Sequence, residues 1–240
     1  MNSLIKVLLF SFILAACGSI DPTNWQEKCK NPDYLHRSVK QITDVMVHDI
    51  YSPPVASRTY AYLSIAAYEA GRHDSSIYKS LAGQLKGMDE MPQPEKDKQY
   101  CFSLSSVYAA LQVGKTLVAS KPKVQAFETK LMQEFLDNGI PEDVYQNSLE
   151  YGKQIADSVL AWAAKDNYKQ TRSFPKYSVS DSPGSWKPTP PAYLKAVEPE
   201  WNKIRPFLID SAQQFKPLSP TPFSVDKNSP FYREALEVYE

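Results

Sequence analysis

Apolar residues recur at three-to-four spacing through the first two-thirds of the chain, the period of helices buried on one side. Leu35, Val39, Ile42, Met46 and Ile50 form the first stripe. Ser52-Pro53-Pro54 then predicts a helix start, with Ser52 as N-cap and proline in the first turn, where its missing N–H is no loss. The helix that follows carries Ala56, Tyr60, Leu63, Ala67 and Ala70 on one face and Tyr62, Ile65 and Tyr68 on the others. A helix apolar on nearly every side belongs at the centre of a bundle. Gly71 is its expected C-cap. The polar residues 83–98, with Pro92 and Pro94, predict a loop. Cys101, Leu104, Tyr108 and Leu111, widened by Val107, Val113 and Leu117, mark a third helix. A fourth opens at Pro122, runs through Val124, Phe127, Leu131 and Phe135, and closes at Asn138-Gly139. Pro141 opens a fifth, with Val144, Ser148, Tyr151, Ile155, Val159 and Trp162 in register. No alternating strand competes, so the predicted class is all-α, with a helical bundle over residues 35–166.

From 167 to 229 the pattern changes. Eleven of the 19 prolines lie between Thr171 and Pro230, interleaved with Phe174, Tyr177, Trp186, Tyr193, Trp201, Phe207, Phe215 and Phe223. Proline withholds the N–H that ladders and helices use, whereas disordered segments are poor in aromatic residues. The prediction is an ordered, irregular wrap that lays its rings on the bundle. Ser229-Pro230 starts a last helix, and its stripe of Phe231, Ala235, Val238 and Tyr239 reaches Glu240 without a cap. Residues 230–240 are therefore expected to be the start of a truncated helix, leaving the fold incomplete at its C-terminus.

The first residues follow a different rule. Lys6 precedes a greasy run, Val7 to Leu14, broken only by Ser11. That run is shorter than the roughly 20 residues a spanning helix needs and suits the core of a signal peptide. Leu14-Ala15-Ala16-Cys17-Gly18 resembles the lipobox of bacterial lipoproteins. The expectation is a signal peptide over 1–16, lipidation of Cys17, and a tether over 17–34 leading to the bundle. Several acyl chains would hold stably where one is marginal. The resulting location is the bacterial cell envelope, and Gly18 favours the outer membrane over the inner. The membrane, through the lipid anchor, is then the first expected partner.

Composition changes this picture little. Lys+Arg and Asp+Glu are both 27, and no basic cluster tracks phosphates, so no nucleic-acid partner is expected. The 15 Tyr, 10 Phe and 4 Trp suit a packed core with amphipathic rims. Besides Cys17, only Cys29 and Cys101 are present. An oxidising compartment permits one disulfide between them, and a pair of buried free thiols is the other reading.

The remaining candidate chemistry is thin. His48-Asp49 and His73-Asp74 have metal-ligand residue types but no supporting carboxylate spacing, so no metal site is expected. A helix-end histidine beside a capping aspartate explains them. Arg58 and Glu69, eleven residues apart on one helix, are expected to be satisfied by bundle neighbours, and Lys153 and Lys165 to be solvated. Gly114-Lys115-Thr116 imitates the end of a phosphate loop, but Ala109 stands where its first glycine belongs and the stretch falls inside a helix.

The stretch His48-Asp49-Ile50-Tyr51-Ser52-Pro53-Pro54-Val55-Ala56-Ser57-Arg58-Thr59-Tyr60-Ala61-Tyr62, with Ser64-Ile65-Ala66-Ala67-Tyr68-Glu69-Ala70, resembles the helical N-terminal half of bacterial vanadium-dependent haloperoxidase-like proteins. These belong to the type 2 phosphatidic acid phosphatase superfamily. Gly184-Ser185-Trp186-Lys187-Pro188-Thr189-Pro190-Pro191, Pro199-Glu200-Trp201 and Pro206-Phe207-Leu208 extend the likeness over roughly residues 40–240. The resemblance implies chemistry housed in a C-terminal half, where K-x6-R-P, P-S-G-H and S-R-x5-H motifs hold vanadate or phosphate. Cationic donors neutralise the anion's oxygens, one histidine ligates or attacks, and another moves protons. Here Arg205-Pro206 supplies an R-P, but Glu198 stands where the lysine belongs. There is no Ser-Gly-His, and His36, His48 and His73 all lie far upstream. No catalytic residue is therefore expected in these 240 residues, and no cofactor bound by them. Vanadate, or phosphate as substrate, is implied for the full-length relative, which would oxidise halide with peroxide or hydrolyse phosphomonoesters. The expected partner is the missing C-terminal half or a second copy of the chain. The alternative is a non-catalytic helical lipoprotein binding a glycan or a protein.

Overall fold

Every regular element among the described residues is helical. The computed structural model describes residues 24–240, so the signal-peptide segment 1–16 and Cys17 lie outside the described residues. In chain order the helices are α1 (Trp25–Cys29), α2 (Asp33–His48), α3 (Pro53–Gly71), α4 (Phe102–Leu117), α5 (Lys121–Asp137), α6 (Glu142–Ala163), α7 (Tyr168–Thr171) and α8 (Pro230–Tyr239). Single 3-10 turns stand at Arg72–Asp74 and Trp201–Lys203. Among the described residues no helix is long and apolar enough to cross a membrane. Two compact units share the chain. Of the described residues, one holds 24–51, Ala56–Ser80 and Met91–Leu160; the other holds Ser52–Val55, Leu81–Glu90 and Ala161–Glu240.

In the first unit α4 is the packing axis, although α3 looked the more apolar in sequence. Leu104, Val107, Ala109, Ala110, Leu111 and Val113 of α4 are all buried. Small residues let its neighbours come close. A Cβ on Gly114 would sit 2.6 Å from Ile42 Cδ1 of α2, and one on Gly152 of α6 would sit 2.7 Å from the Ser105 carbonyl oxygen. The α4–α6 crossing therefore excludes any side chain at 152, while one at 114 would require Ile42 to move. The polar groups at the α4–α6 crossing are satisfied in a chain. The Cys101 amide donates to Ser148 Oγ (2.8 Å), Ser148 Oγ to the Val144 carbonyl (2.6 Å), and Ser105 Oγ to the Ser148 carbonyl (2.9 Å). The fifth predicted stripe is buried in full, from Val144 through Trp162.

Other stripes are displaced. On α2 the buried set is Tyr34, Ser38, Ile42, Val45 and Met46. Leu35 and Val39 sit at its margin, and Ile50, beyond the helix, has φ +55° and is 90% exposed. Ser38 can occupy the buried face because its hydroxyl donates to the Tyr34 carbonyl at 2.7 Å. Residues 25–34 are no loose tether: Trp25, Cys29 and Tyr34 are buried, and α1 and α2 are already formed. Proline opens α3 at Pro53 as expected, but the Ser52 hydroxyl is buried without a hydrogen-bond partner and caps nothing.

The second unit is built differently. Its small core is Trp162, whose indole N–H donates to the Lys86 carbonyl at 3.0 Å and whose ring meets Phe207 at 5.5 Å. The Arg205 guanidinium lies over the same indole, 4.3 Å from its centroid. Arg172 pairs with Glu198 and covers the Tyr168 ring. Past this centre the sequence expectation fails. The sequence expects the rings of Tyr177, Trp186, Tyr193, Phe215 and Phe223 to be laid on the bundle, yet all are substantially exposed. The frequent prolines fix the backbone without supplying an opposing surface. The division at Asp166 is also shifted: the break follows Leu160, and Leu81–Glu90 joins the second unit because Lys86 bonds to Phe207 and Trp162. The last helix starts as its sequence demands, Ser229 Oγ accepting from the Tyr232 amide at 3.1 Å. None of its residues is buried.

Candidate functional site

The structure disposes of most candidate residues by giving them structural partners. His48 and Asp49 meet at 3.0 Å, and Asp49 accepts from the Ser120 hydroxyl and amide at 2.5 and 2.9 Å. Asp49 therefore anchors the residue that precedes α5. The Ser120 hydroxyl, together with His48, holds its carboxyl down at about 2. His73 lies between the Phe102 and Tyr151 rings, at 5.6 and 5.9 Å, and its Nε2 is buried without a partner. Burial pushes its imidazole below the ordinary value, and Arg72 adds to the effect. Asp74 beside it is exposed and approaches Lys30 at 4.0 Å. Among the described residues no group of three or more His, Cys, Asp or Glu is placed to hold a metal ion.

Among the described residues Glu69 is the one carboxylate buried without any exposure. Arg72 Nε reaches it at 3.0 Å, and the Ser80 hydroxyl donates to it at 3.0 Å. It ties the end of α3 to the loop that follows, a structural use of charge. Gly114-Lys115-Thr116 lies inside α4. Lys115 bonds to Glu128 and Gln125 at 2.7 and 2.8 Å, and Gly114 is the close-approach residue described above. Lys153 pairs with Asp157 on the exposed face of α6. Cys29 and Cys101 are free, buried thiols that face one another: Cys29 ends α1 and Cys101 is the N-cap of α4.

Two concavities were not legible in the sequence. In the first unit, an apolar groove of about 400 Å³ is lined by Leu35, Val39, Leu63, Ala67, Tyr78 and Ser106. In the second, a cleft of about 470 Å³ is lined by Tyr177, Trp186, Pro188 and Pro199 together with Lys176 and Lys195. Tyr177 and Trp186 meet edge to face at 5.6 Å. The cleft residues are 23 positions apart at the extremes, Lys176 and Pro199, and carry no periodicity, so only the Gly-Ser-Trp-Lys-Pro-Thr-Pro-Pro run hinted at them.

Comparison with known proteins adds what these contacts cannot. A bacterial vanadium-dependent iodoperoxidase of known crystal structure matches with 44% sequence identity and a TM-score of 0.82 over 87% of the chain. This chain has a vanadium-haloperoxidase-like fold. It spans 50% of the length of that iodoperoxidase. No protein-family profile matches the chain, and no curated protein matches it.

A haloperoxidase-like fold sharpens the test of the Arg205-Pro206 pair. Arg205 lies over Trp162, donates from its guanidinium to the Trp162 carbonyl at 3.2 Å, and donates from its amide to the Asp166 carbonyl at 2.9 Å. Glu198, in the position of the motif's lysine, is a carboxylate engaged with Arg172. An acidic group there repels an oxyanion, and no histidine lies within the second unit. The residues present do not fit vanadate or phosphate.

Proposed function

We propose that these 240 residues are the non-catalytic, helical N-terminal half of a vanadium haloperoxidase- or phosphatase-like lipoprotein of the bacterial envelope. One observation carries this reading: the chain matches an iodoperoxidase at 44% identity but spans 50% of its length, and none of the anion-binding motifs occurs in it. The helical half supplies a scaffold, and its open second unit offers surface to the part that carries lysine, arginine and histidine. The complete protein would oxidise a halide with peroxide or hydrolyse a phosphomonoester. Cys17 would carry the lipid and hold the assembly at a membrane, with the outer membrane favoured.

Intact mass of the endogenous protein tests the first point. A chain near twice this length, containing K-x6-R-P and P-S-G-H, is expected. An endogenous chain ending at Glu240 would overturn it and favour the binding-lipoprotein alternative, for which the Tyr177–Trp186 cleft is the natural ligand site. The anchor is tested separately. Radioactive palmitate should label the protein, and Cys17→Ser should abolish both the label and membrane fractionation; label retained in that variant refutes lipidation at Cys17.

A further inference from the structure

Cysteine is scarce in this chain, with three residues in all, and the two among the described residues are brought together although 72 positions separate Cys29 from Cys101 in sequence: Lys30, beside Cys29, approaches Asp74 at 4.0 Å, and His73 packs at 5.6 Å on Phe102, beside Cys101. Both are buried, Cys29 completely. Each is held by a defined element. Cys29 is the last residue of α1, pinned by the buried Trp25 one turn earlier. Cys101 is the N-cap of the central helix α4, its amide fixed to Ser148 Oγ. A thiol in a small apolar site needs no second thiol as neighbour, since alanine or serine would fill the same space. Two sole cysteines meeting across the first unit therefore point to a joint chemical role.

We propose that Cys29 and Cys101 form a disulfide that clamps α1, and with it the chain's N-terminal segment, to the start of α4. The thiolate of one cysteine displaces one thiol from a disulfide oxidant, leaving a mixed disulfide. The other cysteine then loses its proton and attacks the protein sulfur of that mixed disulfide, expelling the second oxidant thiol. Two protein thiols are oxidised, one oxidant disulfide is reduced to two thiols, and the protons are conserved. The exchange precedes complete burial, because Cys29 is closed to solvent once α1 has docked. Closing a loop of roughly 70 residues restricts the unfolded chain and stabilises the fold.

An oxidising location rests on the envelope reading, so the test has two arms. First, the full chain with Cys17→Ser is unfolded, reduced and refolded in a mixture of oxidised and reduced glutathione. The expected product has no thiol available to an alkylating reagent after denaturation and yields a single cross-linked peptide pair holding Cys29 and Cys101. It should melt higher than the same sample reduced, and the Cys29→Ala/Cys101→Ala variant should melt at one temperature with or without reductant. Two alkylatable thiols, or glutathione left on either cysteine, overturn the proposal. Second, the endogenous protein is trapped with alkylating reagent in acid before extraction. Bridged cysteines support the pairing in the cell; free cysteines there, beside a bridged refolded sample, refute the oxidising compartment and leave the pairing standing.

Discussion

The two units of this molecule obey different rules. In the first, helices meet at backbone distance, the polar groups of the α4–α6 crossing are paired, and side chains such as Leu104, Leu111, Val113, Ile155 and Val159 have essentially no exposure. In the second, one tryptophan with its arginine and phenylalanine forms the centre, while Trp186, Tyr193, Phe215 and Leu218 face outward. Both are rich in apolar residues, so composition does not separate them. The difference is periodicity. A helix repeats its apolar face every turn and a second helix can cover the whole stripe, whereas a proline-fixed segment presents its rings in unrelated directions. A covered core and an uncovered surface are thus built from similar residues.

Breaking a helix crossing should have the largest effect. Gly152→Val places side-chain atoms where a single Cβ already falls 2.7 Å from the Ser105 carbonyl, and should cost about 3 kcal/mol or more, as overpacking at a rigid site does. Leu104→Ala should follow, at about 2–5 kcal/mol for a fully buried leucine. By contrast Leu218→Ala, at a side chain 95% exposed, should lie within roughly 0.5 kcal/mol of the parent. Urea denaturation followed by circular dichroism measures all three. Equal losses at Leu104 and Leu218 would erase the contrast between the units.

Limited proteolysis sharpens the same contrast without mutation. Cleavage should begin within residues 171–240, where backbone hydrogen bonds are few and apolar side chains uncovered, and a fragment of about Trp25 to Ala164 should persist. First cuts inside α4 or α6 would contradict the packing described here.

The smallest effect concerns acid. Asp49 has its carboxyl held at about 2, against an ordinary value of 3.8. Its folded-state value is depressed, so its stabilisation is present above the unfolded value and is lost as pH falls from about 4 towards 2. Asp49→Asn should lower the melting temperature slightly at pH 7 and flatten that part of the acid profile. An unchanged profile in the variant would show that the Ser120 contacts contribute nothing.

The helices were legible because their sequences repeat. The Val144-to-Trp162 stripe is buried residue by residue, and Ser229 caps α8 as its sequence demands. Displacements arose where polar residues took core positions by satisfying themselves, as Ser38 does on Tyr34 and Glu128 does with Lys115 and Gln112. The central place of α4 was hidden because it depends on Gly114 and Gly152, which carry no hydrophobic signal. Among site residues, the decoys were readable as such: Glu198 in place of a lysine, and a glycine-lysine-threonine inside a helix. The cleft around Tyr177 and Trp186 was not, since its walls come from irregular chain with no repeating register. The nearness of Cys29 to Cys101 required the fold.

The most direct measurement is of vanadate itself. The full chain is mixed with vanadate and followed by vanadium NMR, then supplied with peroxide and iodide or bromide. With Arg205 committed to Trp162 and Glu198 in the lysine's position, the vanadate resonance should remain unshifted and unbroadened, and halide oxidation should equal that of a heat-treated control. Bound vanadate together with turnover that disappears in Arg205→Ala or His73→Ala would contradict the assignment of these residues to a non-catalytic half.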